Sequence, residues 1–281
     1  MKRIDINNQI FSSDEFQRDK YKFYLIIQNL KSESVVLYSD EENYVICRGE
    51  IGRPTWIWTK DSFDVSKLKE IEEVVDLYLT DDEKDKFTCK KELYDLLVTD
   101  GFDKLNAEDY FEMGFLCCRE TKKPRECDGF IDVPTVDDKA TLVKYWYDDS
   151  HEMDGVDPVS MEKAATDVQR MLDSNKFYVW RNDSGKIVCM VNYTDVDGQA
   201  KLAHVYTPIE ERGKGYATNL ICQVTNIILE KGLVPVLYTD YNYIPSNRAY
   251  INAGFEDKGI LINFSCSKYS KEKKYERNKT M

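Results

Sequence analysis

The run Arg212-Gly213-Lys214-Gly215-Tyr216-Ala217-Thr218 constrains this chain more than any other segment. It follows a strand-like stretch, Ala200 to Tyr206, that Thr207 and Pro208 interrupt. It precedes a helix whose apolar residues Leu220, Ile221, Val224, Ile227 and Ile228 recur at amphipathic spacing, with Gly232 where a C-terminal cap belongs. Strand, glycine loop and helix make a binding device for an anion. The first-turn N–H groups of a helix have no acceptor of their own, and the dipole adds partial positive charge. Gly213 and Gly215 let the main chain bend and approach a ligand without a Cβ in the way. The plainer meaning of such a glycine pair is a tight strand-to-helix connection.

Two nucleotide patterns fit poorly. A P-loop requires Ser or Thr directly after Gly-Lys, but Gly215 follows Lys214. A dinucleotide GxGxxG loop requires glycine where Thr218 stands.

The surrounding pattern is regular. A short strand, Phe130 to Val133, precedes two helix-like stretches, Lys139 to Tyr147 and Ser160 to Leu172. Strands at Phe177 to Arg181 and Lys186 to Tyr193 flank the turn-rich Asn182-Asp183-Ser184-Gly185. Asp195 to Gly198 then turns the chain into Ala200 to Tyr206, so an antiparallel meander is expected. Leu233 to Asp240 reads as a further strand despite Pro235, which lacks a ladder donor. A helix ending in Tyr250-Ile251-Asn252-Ala253-Gly254-Phe255 follows.

Over residues 128–268 the chain resembles the GNAT superfamily of N-acetyltransferases. The resemblance rests on Val205 to Thr218, similar to the family's acetyl-CoA motif Q/R-x-x-G-x-G/A, and on the downstream Tyr-x-x-x-Gly-Phe helix. Glu210 stands where the family usually has Gln or Arg, which puts that one contact in doubt. The resemblance implies an α+β fold, a mixed, mostly antiparallel sheet flanked by helices, with acetyl-CoA as co-substrate and no metal. It implies that the amides of Arg212, Gly213, Lys214, Gly215, Tyr216, Ala217 and Thr218 cradle the pyrophosphate, with Asn247 at another coenzyme contact. It also implies that the strand before the loop splays from the Pro235 strand to admit the pantetheine arm, so that the missing donor is tolerated there.

Acyl transfer from a thioester to an amine needs a neutral amine, a polarised carbonyl and a proton for the leaving thiolate. By resemblance Tyr250 is the acid, since a phenol stays protonated at neutral pH, and the N–H of Val205 or Tyr206 is the oxyanion donor. His204 is the candidate base; on a regular pleat it shares a face with Leu202 and Tyr206, where a packed or solvated histidine is an equal alternative. Helix capping explains Asn247 equally well. Asp148, Asp149, Glu152 and Asp154, with Asp157, follow the first helix of this region in a connection that, by resemblance, walls the acceptor pocket, where their charge would attract a protonated amine; a solvated acidic loop is the plainer alternative for each of them.

The first 120 or so residues alternate strand-like runs, Val35 to Tyr38, Tyr44 to Cys47 and Thr55 to Trp58, with helix-like stretches at Val65 to Tyr78 and Lys90 to Val98. Trp56 and Trp58 read as half-buried strand residues. The expected division is a smaller α+β domain at 1–124, the acetyltransferase domain at 125–268 and a polar tail at 269–281, with the boundary in the polar Arg119 to Asp128. The first domain is either a copy of the same fold that has lost its glycine loop or a domain that shapes the acceptor site.

A net charge of −12 argues against a nucleic-acid partner and favours cationic ones. Eight cysteines without a CxxC pair, and only two histidines, indicate neither a zinc site nor a disulfide scaffold. Without a long apolar run or an export signal the chain is expected to be cytoplasmic, with no membrane partner. The function expected is transfer of an acetyl group from acetyl-CoA to a primary amine of a small cationic acceptor in a ternary complex. The rivals are a regulatory module that binds acyl-CoA without chemistry and a nucleotide-dependent enzyme. The sequence is silent on the acceptor's identity and the oligomeric state.

Overall fold

The protein is described from a computed structural model covering residues 1–49, 53–79, 85–98, 105–153 and 158–268. It divides into two compact units, one of Met1–Met113 with Ile260–Met281, the other Gly114–Gly259. The second unit thus begins before the polar stretch 119–128 and ends within the last strand. The tail 269–281, Asp154 and Asp157 lie outside the described residues.

In chain order the first unit carries β1 (Lys2–Ile4), α1 (Asp14–Asp19), α2 (Tyr24–Asn29), β2 (Val36–Ser39), β3 (Tyr44–Arg48), β4 (Thr55–Thr59), α3 (Leu68–Tyr78), β5 (Asp85–Lys90), α4 (Lys91–Leu96) and the start of β6 (Leu105–Cys117). The second carries the end of β6, then β7 (Phe130–Asp132), α5 (Lys139–Glu152), α6 (Met161–Asp173), β8 (Phe177–Arg181), β9 (Ile187–Val196), β10 (Gln199–Tyr206), α7 (Tyr216–Glu230), β11 (Val234–Asp240), α8 (Ile244–Ala253) and the start of β12 (Glu256–Lys268). From β1 to β6 and from β7 to β12 the order of strands and helices is the same. In each half an antiparallel meander ends in a strand paired parallel with the one beyond the crossover helix, β4 with β5 and β10 with β11. The first half is therefore a structural repeat of the second. Its connection from β4 to α3, residues 60–67, has no glycine, so the anion loop exists in the second half alone.

In the second unit helices cover both faces of the sheet. Leu220, Ile221, Val224 and Ile228 of α7 pack on Val188, Val191, Ala200 and Leu202. On the other face Leu142 and Trp146 of α5 and Val168 and Met171 of α6 pack on Val179, Ile187 and Met190. Each fully buried side chain of this size contributes about 1.5–3 kcal/mol. Gly232 (φ +73°) caps α7: its N–H donates to Leu229 O and that of Leu233 to Ile228 O.

Three expectations change. All five residues of β4 are buried, so Trp56 and Trp58 are fully rather than half buried, edge-on to Phe23 and Phe16 on one face of the sheet; the indole N–H of Trp58 donates to Asp19. β9 continues to Val196, and the turn narrows to Asp197-Gly198, both at positive φ (46° and 76°), as a two-residue hairpin requires. The helix expected to end near Tyr147 runs to Glu152, so Asp148, Asp149 and Glu152 are helical rather than in a loop. Lys144 pairs with Asp148 one turn on, and Ser150 is wholly buried, which holds that last turn.

Candidate active site

β10 and β11 pair only from Gln199 to Lys201 opposite Val234 to Val236, and beyond those residues the two parallel strands part. The main-chain groups on that side of residues 202–206 therefore have no strand partner in β11. Pro235 needs a different explanation from the one expected. Its carbonyl accepts from the N–H of Cys118 (3.0 Å), so it faces the end of β6 rather than the opening, and the missing donor falls where β6 stops at Cys117.

His204 sits in an irregularity rather than on a regular pleat. The ladder with β9 slips between Ala203 and Tyr206, and His204 has φ +53°, a conformation a non-glycine residue seldom adopts. The bulge turns the imidazole onto Trp146 of α5, with ring centroids 3.9 Å apart. Its Nδ1 then lies 3.9 Å from Asp149 Oδ2.

The loop after β10 is built as an anion site. Gly215 is the N-cap of α7 in the left-handed conformation (φ +95°), and no side chain caps the helix. Among the described residues no oxygen accepts from the N–H groups of residues 213–218. Asn219, which no motif marks, fixes this turn: its side-chain amide donates to Gly215 O (3.0 Å) and Arg125 O (2.8 Å). The Tyr216 side chain is structural, buried with its hydroxyl donating to Asp128 (2.7 Å), and that bond pushes the phenol up to about 12. The loop's cations are already matched, Arg212 by Glu152 and Lys214 by Glu211. Two lysines, Lys186 and Lys214, hold Glu211 below the usual carboxylate range.

The acidic turn of α5 borders a groove at the end of β10. Asp148, Glu152 and Glu210 line an open groove of about 370 Å³ together with Tyr206, whose hydroxyl donates to Glu152 (3.1 Å). Asp149 points elsewhere. It is 7% exposed, and its Oδ2 has no hydrogen-bond partner. Burial, then the charge of Glu152, pushes its carboxyl up to about 8, against a smaller opposing pull from Arg212.

Tyr250 is buried on α8 with its ring edge-on to Phe255. Burial raises its phenol above the ordinary value, and the nearby charges of Asp149 and Cys189 raise it further. Asn247 ties α8 to the end of β11, donating to Asp240 O and Tyr241 O (2.9 Å each), while its Oδ1 is buried without a partner. Of the sequence candidates, Asp148, Glu152 and Tyr206 line the groove, His204 stands by Asp149, and Arg212 joins the glycine loop to Glu152, while Asp154 lies outside the described residues. Trp146, against which the His204 ring stands, was visible in the sequence only as an apolar helix residue.

Residues 141–255 match the family model for the acetyltransferase (GNAT) family. The match gives residues 141–255 as a GNAT acetyltransferase domain, of a family whose members transfer acyl groups from acetyl-CoA. The fold likeness extends through the first unit. A GNAT-family acetyltransferase from Colwellia psychrerythraea is similar over 94% of this chain and 98% of its own, with TM-score 0.59 at 11% identity. A GCN5-related N-acetyltransferase from Kribbella flavida covers 90% of this chain and 95% of its own, with TM-score 0.60 at 13% identity. A putative GNAT acetyltransferase from Novosphingobium aromaticivorans covers 88% and 96%, with TM-score 0.54 at 16% identity. At these identities the likeness is one of fold. No curated protein matches the sequence. Among the described residues no helix is long and apolar enough to cross a membrane.

Proposed function

We propose that the protein is an N-acetyltransferase that moves the acetyl group of acetyl-CoA directly to a primary amine of a small cationic acceptor. One observation carries this reading. The unclaimed amides of residues 213–218 stand at the head of α7, which follows the stretch of β10 that has parted from β11. On this reading the pyrophosphate rests on those amides, and the pantetheine arm lies against the unpaired edge of β10 in place of a neighbouring strand. The Val205 or Tyr206 N–H steadies the oxyanion, and Asn247 Oδ1 accepts from the coenzyme. Tyr250 protonates the departing sulfur, and His204 receives a proton from the amine. The groove bordered by Asp148, Glu152 and Glu210 selects a cation.

The test has two parts. Coenzyme A, but neither ATP nor NAD, should raise the melting temperature, because a ligand of the folded state alone stabilises it. Acetyl transfer should then appear with at least one of spermidine, tyramine, glycinamide and a lysyl peptide. Stabilisation without transfer to any of them would instead support a binding module.

A further inference from the structure

We propose that Asp149 is the terminal acceptor of the amine's proton, receiving it through His204, so that the two side chains act as one basic unit in the transfer. The inference rests on the acetyltransferase reading and goes beyond it by assigning a role to a residue expected only to attract the acceptor.

Three observations place Asp149 in the chemistry rather than in the acceptor groove. Its Oδ2 is buried and lacks a hydrogen-bond partner, an arrangement that is destabilising unless the site uses it. The carboxyl also stands at the last turn of α5, where the helix dipole opposes a negative charge. Finally, the imidazole turned toward it belongs to a residue in the left-handed region at a bulge, and strain of this kind persists only where the surroundings enforce it.

The ionisable groups around Asp149 come from every element that packs there. They are Glu152 on its own helix, His204 on β10, Arg212 before α7, Tyr250 on α8 and Cys189 on β9. Among these His204 alone suits uptake of a proton from an amine at neutral pH. Arg212 holds its own proton, Glu152 is bound to Arg212 and Tyr206, and Tyr250 and Cys189 are pushed upward.

An ammonium acceptor gives one proton to His204, and the proton on the far side of the imidazole passes to the Asp149 carboxylate. The neutral nitrogen bonds to the acetyl carbon and the carbon–sulfur bond breaks. Tyr250 gives its proton to the sulfur, and the second proton that nitrogen loses restores Tyr250. The products are the acetamide, the free thiol and a protonated Asp149, which returns its proton to solvent. A carboxyl that titrates near 8 is suited to this, being able both to accept and to release a proton close to neutral pH.

The experiment compares wild type, Asp149→Asn, Asp149→Glu and His204→Gln with the best acceptor among spermidine, tyramine, glycinamide and a lysyl peptide. Coenzyme A affinity serves as the control for folding. For Asp149→Asn the expectation is a fall in kcat of about a hundredfold or more, with coenzyme affinity retained. The rise of kcat with pH near 8 should disappear, partial activity should return in Asp149→Glu, and His204→Gln should show a similar loss. The acceptor's own titration is common to every variant and cancels. A higher KM at unchanged kcat would make Asp149 a binding group and overturn the proposal, as would an unaltered pH limb. A wild type that binds coenzyme A yet acetylates none of the four amines overturns the acetyltransferase reading itself, and this inference with it.

Discussion

The guanidinium of Arg212 in the glycine loop donates to the carboxylate of Glu152 on α5, so a cation of the proposed phosphate loop is held by a residue that lines the acidic groove. The two ligands would then compete for that ion pair: a phosphate draws on Arg212, and an ammonium draws on Glu152. Both side chains are about a third exposed (36% each), which makes the pair a weak one.

Glu152→Gln should therefore act with opposite signs on the two substrates. Freed from its partner, Arg212 binds the coenzyme more tightly, by up to about fivefold at low ionic strength and less in ~1 M salt. The cationic acceptor, having lost a carboxylate, should show a raised KM. Titration calorimetry with coenzyme A and initial rates with the amine would read the two effects; weaker coenzyme binding in the variant would contradict the linkage.

Two glycines separate loop chemistry from fold. A Cβ at Gly215 would meet only Asn219 and Cys127 at ordinary contact distances (3.7 and 3.9 Å), but the residue is left-handed and its backbone is where an anion must come close. Gly215→Val should weaken coenzyme A binding by about tenfold or more. At Gly254 a Cβ would fall 2.5 Å from Glu120 O, at φ +111°, so Gly254→Ala should lower the melting temperature by roughly 5 °C or more. Its folded fraction should still bind coenzyme A normally. Retained affinity in Gly215→Val would remove the loop from the coenzyme site.

How much of this was legible depended on how local the determinant was. The glycine loop, the helix after it and the Tyr250 helix each carry their signal within a few residues, and their limits came out within a residue or two of those expected. What escaped was set by tertiary contact. The last turn of α5 reads as a solvated acidic loop, yet burial of Asp149 and Ser150 makes it helical. Pleat counting put His204 in phase with Leu202 and Tyr206, but one extra residue in the ladder resets that phase, and nothing in Ala203-His204-Val205 signals a bulge. The repeat in the first unit stayed one of two alternatives in the sequence because it lives in the order of elements and the parallel pair β4–β5, not in a shared glycine loop.

Tyr250→Phe keeps the ring against Phe255 and removes only the hydroxyl. Turnover should fall by about a hundredfold or more while coenzyme A affinity stays within about twofold. Because burial and the Asp149 charge raise this phenol, it remains protonated across the neutral range and should add no limb to the rate profile below about pH 10. Normal turnover in the variant would take Tyr250 out of the acid role.

The raised carboxyl of Asp149 should also be visible in stability, without any substrate. Its value moves from 3.8 in the unfolded chain to about 8 in the fold, so the folded state holds the proton more firmly. The sign follows: the stabilisation from this group is complete below about pH 4 and is lost as pH climbs through about 8, because a buried carboxylate must then be carried without a hydrogen-bond partner. Asparagine has the same shape and no charge to bury. Asp149→Asn should melt above wild type by a margin that widens from about pH 5 to about pH 8 and then levels off, about 2–4 °C for each kcal/mol relieved. Melting curves of the two proteins from pH 5 to 9 would measure this directly, and parallel curves would mean that Asp149 is ionised throughout. A variant that is more stable at high pH yet catalytically poor would locate in one residue the exchange of stability for chemistry that a buried, unpartnered carboxyl implies.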